Sequence, residues 1–261
     1  MTTTTFTIRD TEKRKQIVEV LYEDAHLLVI NKPGGLPVLP DRWLPHLPNL
    51  RHALVGRYGE EGAEASAVFT VHRLDAGTSG VILFARTPEM HRELNRLFEN
   101  SEVSKTYWAI VQGAPPEDEG EIDLPLRRHP RRSRYMQVHR EGKPSRTRYR
   151  VLERFRHFSL VELHPLTGRS HQIRVHLAAV GSPLAVDPLY GEREFLTIRD
   201  IKRSGFRESG DGAPRPLIRR LTLHACSLAF TDPLSGESRR FQAPVPKDFS
   251  AVLKALRKWG R

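Results

Sequence analysis

The residues best equipped for chemistry lie in Val71-His72-Arg73-Leu74-Asp75-Ala76-Gly77-Thr78-Ser79-Gly80, where an imidazole, a guanidinium and a carboxylate fall within four positions. The apolar run Val81-Ile82-Leu83-Phe84-Ala85 follows at once, so this segment turns the chain into a buried strand. Charge at the mouth of such a strand is costly unless it is paired or used. Two readings of Asp75 stand side by side. Its carboxylate accepts the Thr78 and Ser79 amides and shapes a turn, with Arg73 as its surface partner, or it is held there to react.

A reacting aspartate that is to stay ionised away from water needs a cation. Arg174, in the stretch Thr167-Gly168-Arg169-Ser170-His171-Gln172-Ile173-Arg174-Val175-His176, is suited in type. Tyr107 could stack on a base or act as a weak acid or base, and it reads equally well as a half-buried strand aromatic.

Several chemistries are excluded by what the chain does not carry. It has no Gly-x-x-x-x-Gly-Lys phosphate loop, no Gly-x-Gly-x-x-Gly, no Gly-x-Ser-x-Gly elbow and no His-Glu-x-x-His. His72-Arg73-Leu74-Asp75 differs from a kinase catalytic loop by its extra Leu, and the companion motifs are missing. His171 and His176 are five apart with no carboxylate at helical spacing, so no metal site is expected there. The single cysteine, Cys226, rules out an intramolecular disulfide and a cysteine-based zinc site. No second acid completes a paired-carboxylate glycosidase. Cofactor-free chemistry by an acid or a nucleophile remains.

The charge balance names the kind of partner. With 42 Lys and Arg against 31 Asp and Glu, the 261-residue chain carries a formal charge of +11. Arg predominates over Lys, and its planar fork suits phosphate, so a nucleic acid is the expected partner and a membrane surface the competitor. Residues 127–156 hold eleven Arg and one Lys against two Glu. This reads as a phosphate-tracking surface, with Arg131, Arg132 and Arg134 foremost. No window approaches twenty apolar residues and the start has no apolar leader, which predicts a soluble, cytoplasmic protein.

Periodicity predicts the elements that must carry these residues. Residues 1–17 read as an arm, followed by one domain over 18–261. Strands are expected over 18–22 and 27–31, and a helix over 49–58. A helix opened by Thr87-Pro88 runs over 88–100 with Met90, Leu94, Leu97 and Phe98 on one face. Strands follow over 104–113, 136–139, 147–155 and 158–163. A helix after Arg169 is capped by Thr167 or Ser170. Residues 197–216 are polar, charged and Gly-rich, a candidate mobile insertion. Two strands around a turn at 232–236 and a basic helix over 249–259 close the chain. Strands outnumber helices and hairpin turns join them, so the expected class is α+β on a mainly antiparallel sheet.

Five motifs in order resemble the RluA-type pseudouridine synthases. They are Leu21-Tyr22-Glu23-Asp24 through Asn31-Lys32-Pro33-Gly34-Gly35-Leu36, His72 to Gly80, Lys105-Thr106-Tyr107, Thr167 to His176, and Asp187-Pro188-Leu189-Tyr190-Gly191, with Leu221 to Ala225 also in keeping. The resemblance implies a mixed, mainly antiparallel sheet with flanking helices and a central active-site cleft. It implies cofactor-free isomerisation of a uridine already in RNA: N1–C1′ breaks, the base turns, and C5 is joined to C1′. Asp75 matches the catalytic aspartate, whose first step is either attack on the sugar or formation of a glycal. Tyr107 matches the tyrosine that packs on the flipped base, and Arg174 the basic residue that pairs with the aspartate. Arg73 matches an arginine that enters the helix where the target nucleotide left it, as base extrusion requires. His72, Arg169, His171 and Gln172 are assigned to the RNA-facing wall. Many relatives carry an S4-type RNA-binding domain, which some twenty residues ahead of the shared region are too few to form. Recognition of an rRNA or tRNA stem-loop by a monomer is then expected to rest on the catalytic domain. The alternative is a non-catalytic RNA-binding or chaperone module on the same fold; a nucleoside hydrolase or nuclease is more distant.

Overall fold

A computed structural model describes residues 4–10, 13–40, 46–59, 68–202 and 215–261. The first half of the chain forms β1 (Thr4–Arg9), β2 (Lys15–Glu23), β3 (Leu27–Lys32), α1 (Leu50–Tyr58), β4 (Phe69–Thr70), β5 (Ser79–Ala85), α2 (Pro88–Glu99), β6 (Ser104–Gln112) and β7 (Glu119–Asp123). Next come β8 (Leu126–Arg128), β9 (Met136–Val138), β10 (Arg146–Arg154), β11 (Phe158–Pro165) and α3 (Gln172–Ala179). The chain ends with β12 (Leu196–Thr197), α4 (Ile198–Ile201), β13 (Pro216–Ile218), β14 (Leu223–Thr231), β15 (Ser238–Gln242) and α5 (Lys247–Trp259). These elements divide into two compact units, Met1–Thr106 with His224–Pro244, and Tyr107–Leu223 with Val245–Arg261, where the sequence reading expects one domain.

In the first unit the sheet runs β1-β2-β3-β5-β14, with β4 beside β5 and β15 beside β14. Every residue of β5 is buried, as its unbroken apolar run demands. It pairs antiparallel with β3 and, through Ser79 and Gly80, parallel with β14. Gly80 has φ +117°, and a Cβ there would lie 2.1 Å from the Ala225 carbonyl oxygen, so only glycine lets the two strands approach. The expected amphipathic helix is α2: the Thr87 side chain accepts the Met90 N–H, Pro88 opens the first turn, and Met90, Leu94 and Leu97 pack with Leu27, Val29, Val81 and Leu83.

The expected arm over 1–17 is instead largely strand. Thr4 to Arg9 pair in register with Val20 to Lys15. Asp10, 1 % exposed, accepts the Arg14 N–H and Arg14 Nε at 2.9 Å and Gln16 Nε2 at 2.8 Å. A carboxylate with three donors holds this hairpin, which the scattered threonines disguise as an arm.

In the second unit the sheet runs β6-β11-β10-β7, all antiparallel, and α3 and α5 supply apolar faces. The mixed, mainly antiparallel α+β class is as read from sequence. The proposed insertion over 197–216 has regular structure at both ends, where Leu196 pairs with Ile218 and Thr197 with Pro216. Residues 203–214 of it lie outside the described residues. The helix cap also differs from expectation, because His171, at φ 52°, holds the cap position of α3. Thr167 is engaged elsewhere, accepting the Arg146 N–H at 3.0 Å.

Replacing Gly80 by Ala forces a methyl into the Ala225 carbonyl at a left-handed φ. It is expected to cost about 3 kcal/mol or more, read as a lower midpoint in urea unfolding.

Candidate functional site

In the first unit, the Asp75 turn is held by its backbone. The Thr78 N–H donates to the Asp75 main-chain carbonyl at 3.0 Å, so this amide, which a turn-shaping carboxylate would accept, is taken by the main chain. The next carbonyl, Ala76, accepts the Gly35 N–H at 2.8 Å and Lys32 Nζ at 3.0 Å. Lys32 is fully buried at the end of β3 and also donates to the Leu36 and Pro33 carbonyls, at 2.8 and 3.0 Å. A buried ammonium with three carbonyl acceptors is well satisfied, and here it ties the Pro33-Gly34-Gly35-Leu36 turn to the Asp75 turn. Leu74 is buried beneath Asp75, which is itself half-buried, while Arg73 is exposed.

His72 has a defined structural task. Its Nε2 accepts the Leu83 N–H at 3.0 Å, and its ring stacks on Phe98 at 4.7 Å and 21°. Lys105 Nζ stands 5.9 Å from the same Phe98 ring. Burial, reinforced by the positive charge of Lys105, pushes the His72 pKa down to about 3. Burial also lowers that of Lys105. A neutral His72 is what acceptance of a backbone N–H by Nε2 requires, and it props the strand that follows the Asp75 turn. On the β14 side, Ser79 Oγ meets His224 Nδ1 at 3.0 Å, both residues buried.

In the second unit, Arg174 is 4 % exposed and forks onto Asp187, Nε to Oδ2 at 2.7 Å and Nη2 to Oδ1 at 2.8 Å. Asp187, fully buried, also accepts the Leu189 and Tyr190 N–H groups. The guanidinium carbon lies 5.0 Å from the centre of the Tyr190 ring. The Tyr190 hydroxyl accepts the Met136 N–H at 2.7 Å and shares a 2.8 Å hydrogen bond with His171 Nδ1.

Gln172, assigned from sequence to the RNA-facing wall, is buried and spent inside the protein. Its Oε1 accepts the Thr167 hydroxyl and the Arg169 N–H, and its Nε2 donates to the Arg146 carbonyl and Thr147 Oγ1. Arg169 is exposed and donates to the Pro144 carbonyl. His176 is buried between Thr147 Oγ1 and the Leu124 carbonyl, each at 3.0 Å, and burial lowers its pKa.

Tyr107 lies on β6 opposite Leu163 of β11, half-buried against the cluster of Ala109, Val111 and Val161. The basic stretch over 127–156 separates into two populations. On β10, Arg148, Arg150 and Arg154 reach Glu121, Glu162 and Asp118 at 2.7–2.9 Å. Arg131, Arg132 and Arg134, between β8 and β9, are exposed and form no ion pair among the described residues. Their loop is shaped by His129 Nδ1, which accepts the N–H of both Arg131 and Arg132 at 3.1 Å.

The candidate residues therefore fall into two sets. Asp75, Arg73 and His72 stand in the first unit. Tyr107, Arg174, Arg169, His171, Gln172 and the three loop arginines stand in the second. Lys32, Asp187 and Tyr190, which support these sets, stand within the quoted motifs but are given no individual role by the sequence reading. One signal was present: Lys32 follows the apolar run Leu27-Leu28-Val29-Ile30 after a single Asn, with no acid beside it in the sequence.

The chain belongs to the RNA pseudouridylate synthase family, whose model matches residues 26–179. It is 38% identical over 240 residues to the ribosomal large subunit pseudouridine synthase D of Nitrosomonas europaea, covering 92% of this chain and 65% of that one. It is 40% identical over 246 residues to the synthase D of Xanthomonas campestris pv. campestris, covering 92% and 70%. The chain thus spans about two thirds of the length of these curated relatives. Among solved structures it is similar to the human RNA pseudouridylate synthase domain containing 4, with TM-score 0.67 and 28% identity over 91% of this chain and 92% of that one. The human domain containing 1 gives TM-score 0.64 and 26% identity over 92% and 94%.

Two outcomes follow. Asp187→Asn leaves the Arg174 charge buried against a neutral amide and should cost about 3–5 kcal/mol in urea unfolding. His72 has a folded pKa near 3, below the ordinary value of 6.5. The unfolded chain therefore takes up a proton as pH falls below about 6.5 while the folded one does not until about 3. Stability should fall through that window, and His72→Gln should remove this component, seen as a shallower slope when the two unfolding curves are compared; above pH 7 they should run parallel.

Proposed function

We propose that the chain isomerises specific uridines in a structured RNA to pseudouridine, with Asp75 acting at the glycosidic carbon. The observation that carries the reading is the Asp75 turn, whose closure depends on main-chain carbonyls and Lys32. Those contacts fix the backbone of the Asp75 turn in one position. Family membership supplies the reaction class.

In this reading the N1–C1′ bond breaks, the base rotates in place, and a C5–C1′ bond forms. C5 then gives up its proton and N1 gains one, so the reaction is an isomerisation with no net change of atoms. Tyr107 is assigned to the base, as a packing surface and the group nearest in type to a proton acceptor. Arg174 is assigned the positive charge, and its Asp187 fork holds that charge in one geometry. Arg73 is assigned to the space the extruded nucleotide leaves. The exposed loop arginines 131, 132 and 134 are assigned to the RNA backbone, where each phosphate contact adds affinity that salt weakens. The names of the curated relatives favour ribosomal RNA as the substrate class, with a tRNA stem-loop as the other expectation. Among the described residues no helix is long and apolar enough to cross a membrane. We place the protein in the cytoplasm as a monomer.

Pseudouridine mapping by carbodiimide adducts and primer-extension stops tests this directly, on RNA from cells expressing the wild type or Asp75→Asn. Stops at specific uridines should disappear, and the purified variant should lose more than about a thousandfold in rate while still folding and binding RNA. Unchanged stops, with RNA binding intact, would replace the enzyme with a binding module.

A further inference from the structure

The exposed large apolar side chains among the described residues are Ile17, Val138, Phe195 and Leu234, and of these Phe195, 41 % exposed, alone carries an aromatic face. It stands just ahead of β12 in the second unit. Leu196 pairs with Ile218 of β13, and both are buried in the core that α5 covers. Side chains alternate across a pleated pair, so the flanking positions, Phe195 and Arg219, turn outward together. They meet there, with the Arg219 guanidinium 5.3 Å from the centre of the Phe195 ring.

Neither side chain is spent inside the protein. Arg219 is exposed and forms no ion pair or hydrogen bond among the described residues, with Glu194 or any other acid. Its neighbour Arg220, by contrast, forks onto Asp248, Nε to Oδ2 and Nη2 to Oδ1 at 2.7 Å each. Phe158 and Phe249 are buried in the core beneath, whereas the ring of Phe195 stays largely in water, where it forgoes much of the roughly 1.5–3 kcal/mol that full burial of such a side chain provides.

We propose that Phe195 and Arg219 form a stacking platform for an unpaired base of the RNA, with the N–H groups of Arg219 turned to the phosphate beside that base. An aromatic ring next to a guanidinium plane is the pairing by which single strands are held, because every base has a face to stack. Such a contact needs no local excess of positive charge. The surroundings favour this occupant over an apolar protein face: the ring is flanked by Glu194 in the chain and by Arg219 across the pair, both charged and exposed, so no contiguous apolar patch extends from it there. The inference rests on the RNA reading above, and the experiment separates the two.

Phe195→Ala, Phe195→Trp and Arg219→Gln are compared with wild type, each checked by urea unfolding. Affinity is measured by filter binding across a salt series, for a stem-loop RNA and for a fully paired duplex of the same stem, and pseudouridine formation is followed on the stem-loop. Phe195→Ala should bind the stem-loop about ten-fold more weakly, with an unchanged slope of log K against log salt, because a ring releases no counterion. Its affinity for the duplex should match wild type, and Phe195→Trp should keep full affinity for both. Arg219→Gln should make the stem-loop slope shallower by about one. Wild-type stem-loop affinity in Phe195→Ala would overturn the proposal, as would an equal loss on the duplex. A lowered urea midpoint with RNA affinity intact would also overturn it, marking Phe195 as a packing residue. Wild-type protein that made no pseudouridine, yet lost loop affinity on Phe195→Ala, would sink the catalytic assignment and leave the platform supported.

Discussion

Taking a cation out of water costs several kcal/mol unless oxygen replaces the lost hydration, and each unit of this protein meets that constraint at the point where its function is assigned. In the first unit, Lys32 is matched by three main-chain carbonyls. In the second, Arg174 is matched by both oxygens of Asp187. The two solutions do different work. An ammonium on carbonyls needs particular backbone positions, so Lys32 welds two turns and fixes where the Asp75 turn begins. A guanidinium on a carboxylate needs one geometry in one plane, so the charge of Arg174 has little freedom to move.

The surface follows another rule. Exposed ion pairs contribute at most about 1 kcal/mol each, so the pairs along β10 do little for stability. Their effect is on the field: Glu121, Glu162 and Asp118 cancel much of the strand's charge. The cations of this stretch without an ion pair among the described residues lie off β10: Arg128 at the end of β8, Arg131, Arg132 and Arg134 in the loop after it, Arg140 and Lys143 after β9, and Arg156 beyond β10. A stretch that reads from sequence as one uniform basic run therefore presents its charge to a polyanion at the strand ends and turns rather than along β10.

Much of this was legible from residue types alone. The amphipathic period of α2 and its Thr87-Pro88 start, the apolar run of β5 and the order of the motifs all report local chemistry, which a sequence displays. Interactions whose partner is the main chain leave almost no such mark. Lys32 looks like a misplaced surface charge until the carbonyls around it are seen, and Gln172 looks like a recognition residue until its four bonds are traced inward. The strand over residues 4–9 is hidden in the sequence for a related reason: its hairpin is held by Asp10 collecting donors from Arg14 and Gln16, a contact that alternating threonines do not announce. His171, assigned from sequence to the RNA-facing wall, also carries the left-handed cap of α3, a backbone role that non-glycine residues seldom fill and that residue type does not announce.

Tyr190 shows how the parts of the second unit depend on one another. Its ring lies under the Arg174 guanidinium, and its hydroxyl joins His171 at the start of α3 to the Met136 N–H at the start of β9. Tyr135, just before that strand, meets the same ring edge-on at 5.8 Å, and the Arg132 guanidinium lies 5.5 Å from the Tyr135 ring. The chain of contacts runs from an exposed arginine, through two tyrosines, to a buried one. A shift of the β8–β9 loop must therefore strain either the Met136 hydrogen bond or the stacking beneath Arg174. The loop proposed to meet the RNA backbone and the cation assigned to the reaction are held by one side chain, so the grip on RNA and the placement of that charge are parts of a single packing arrangement.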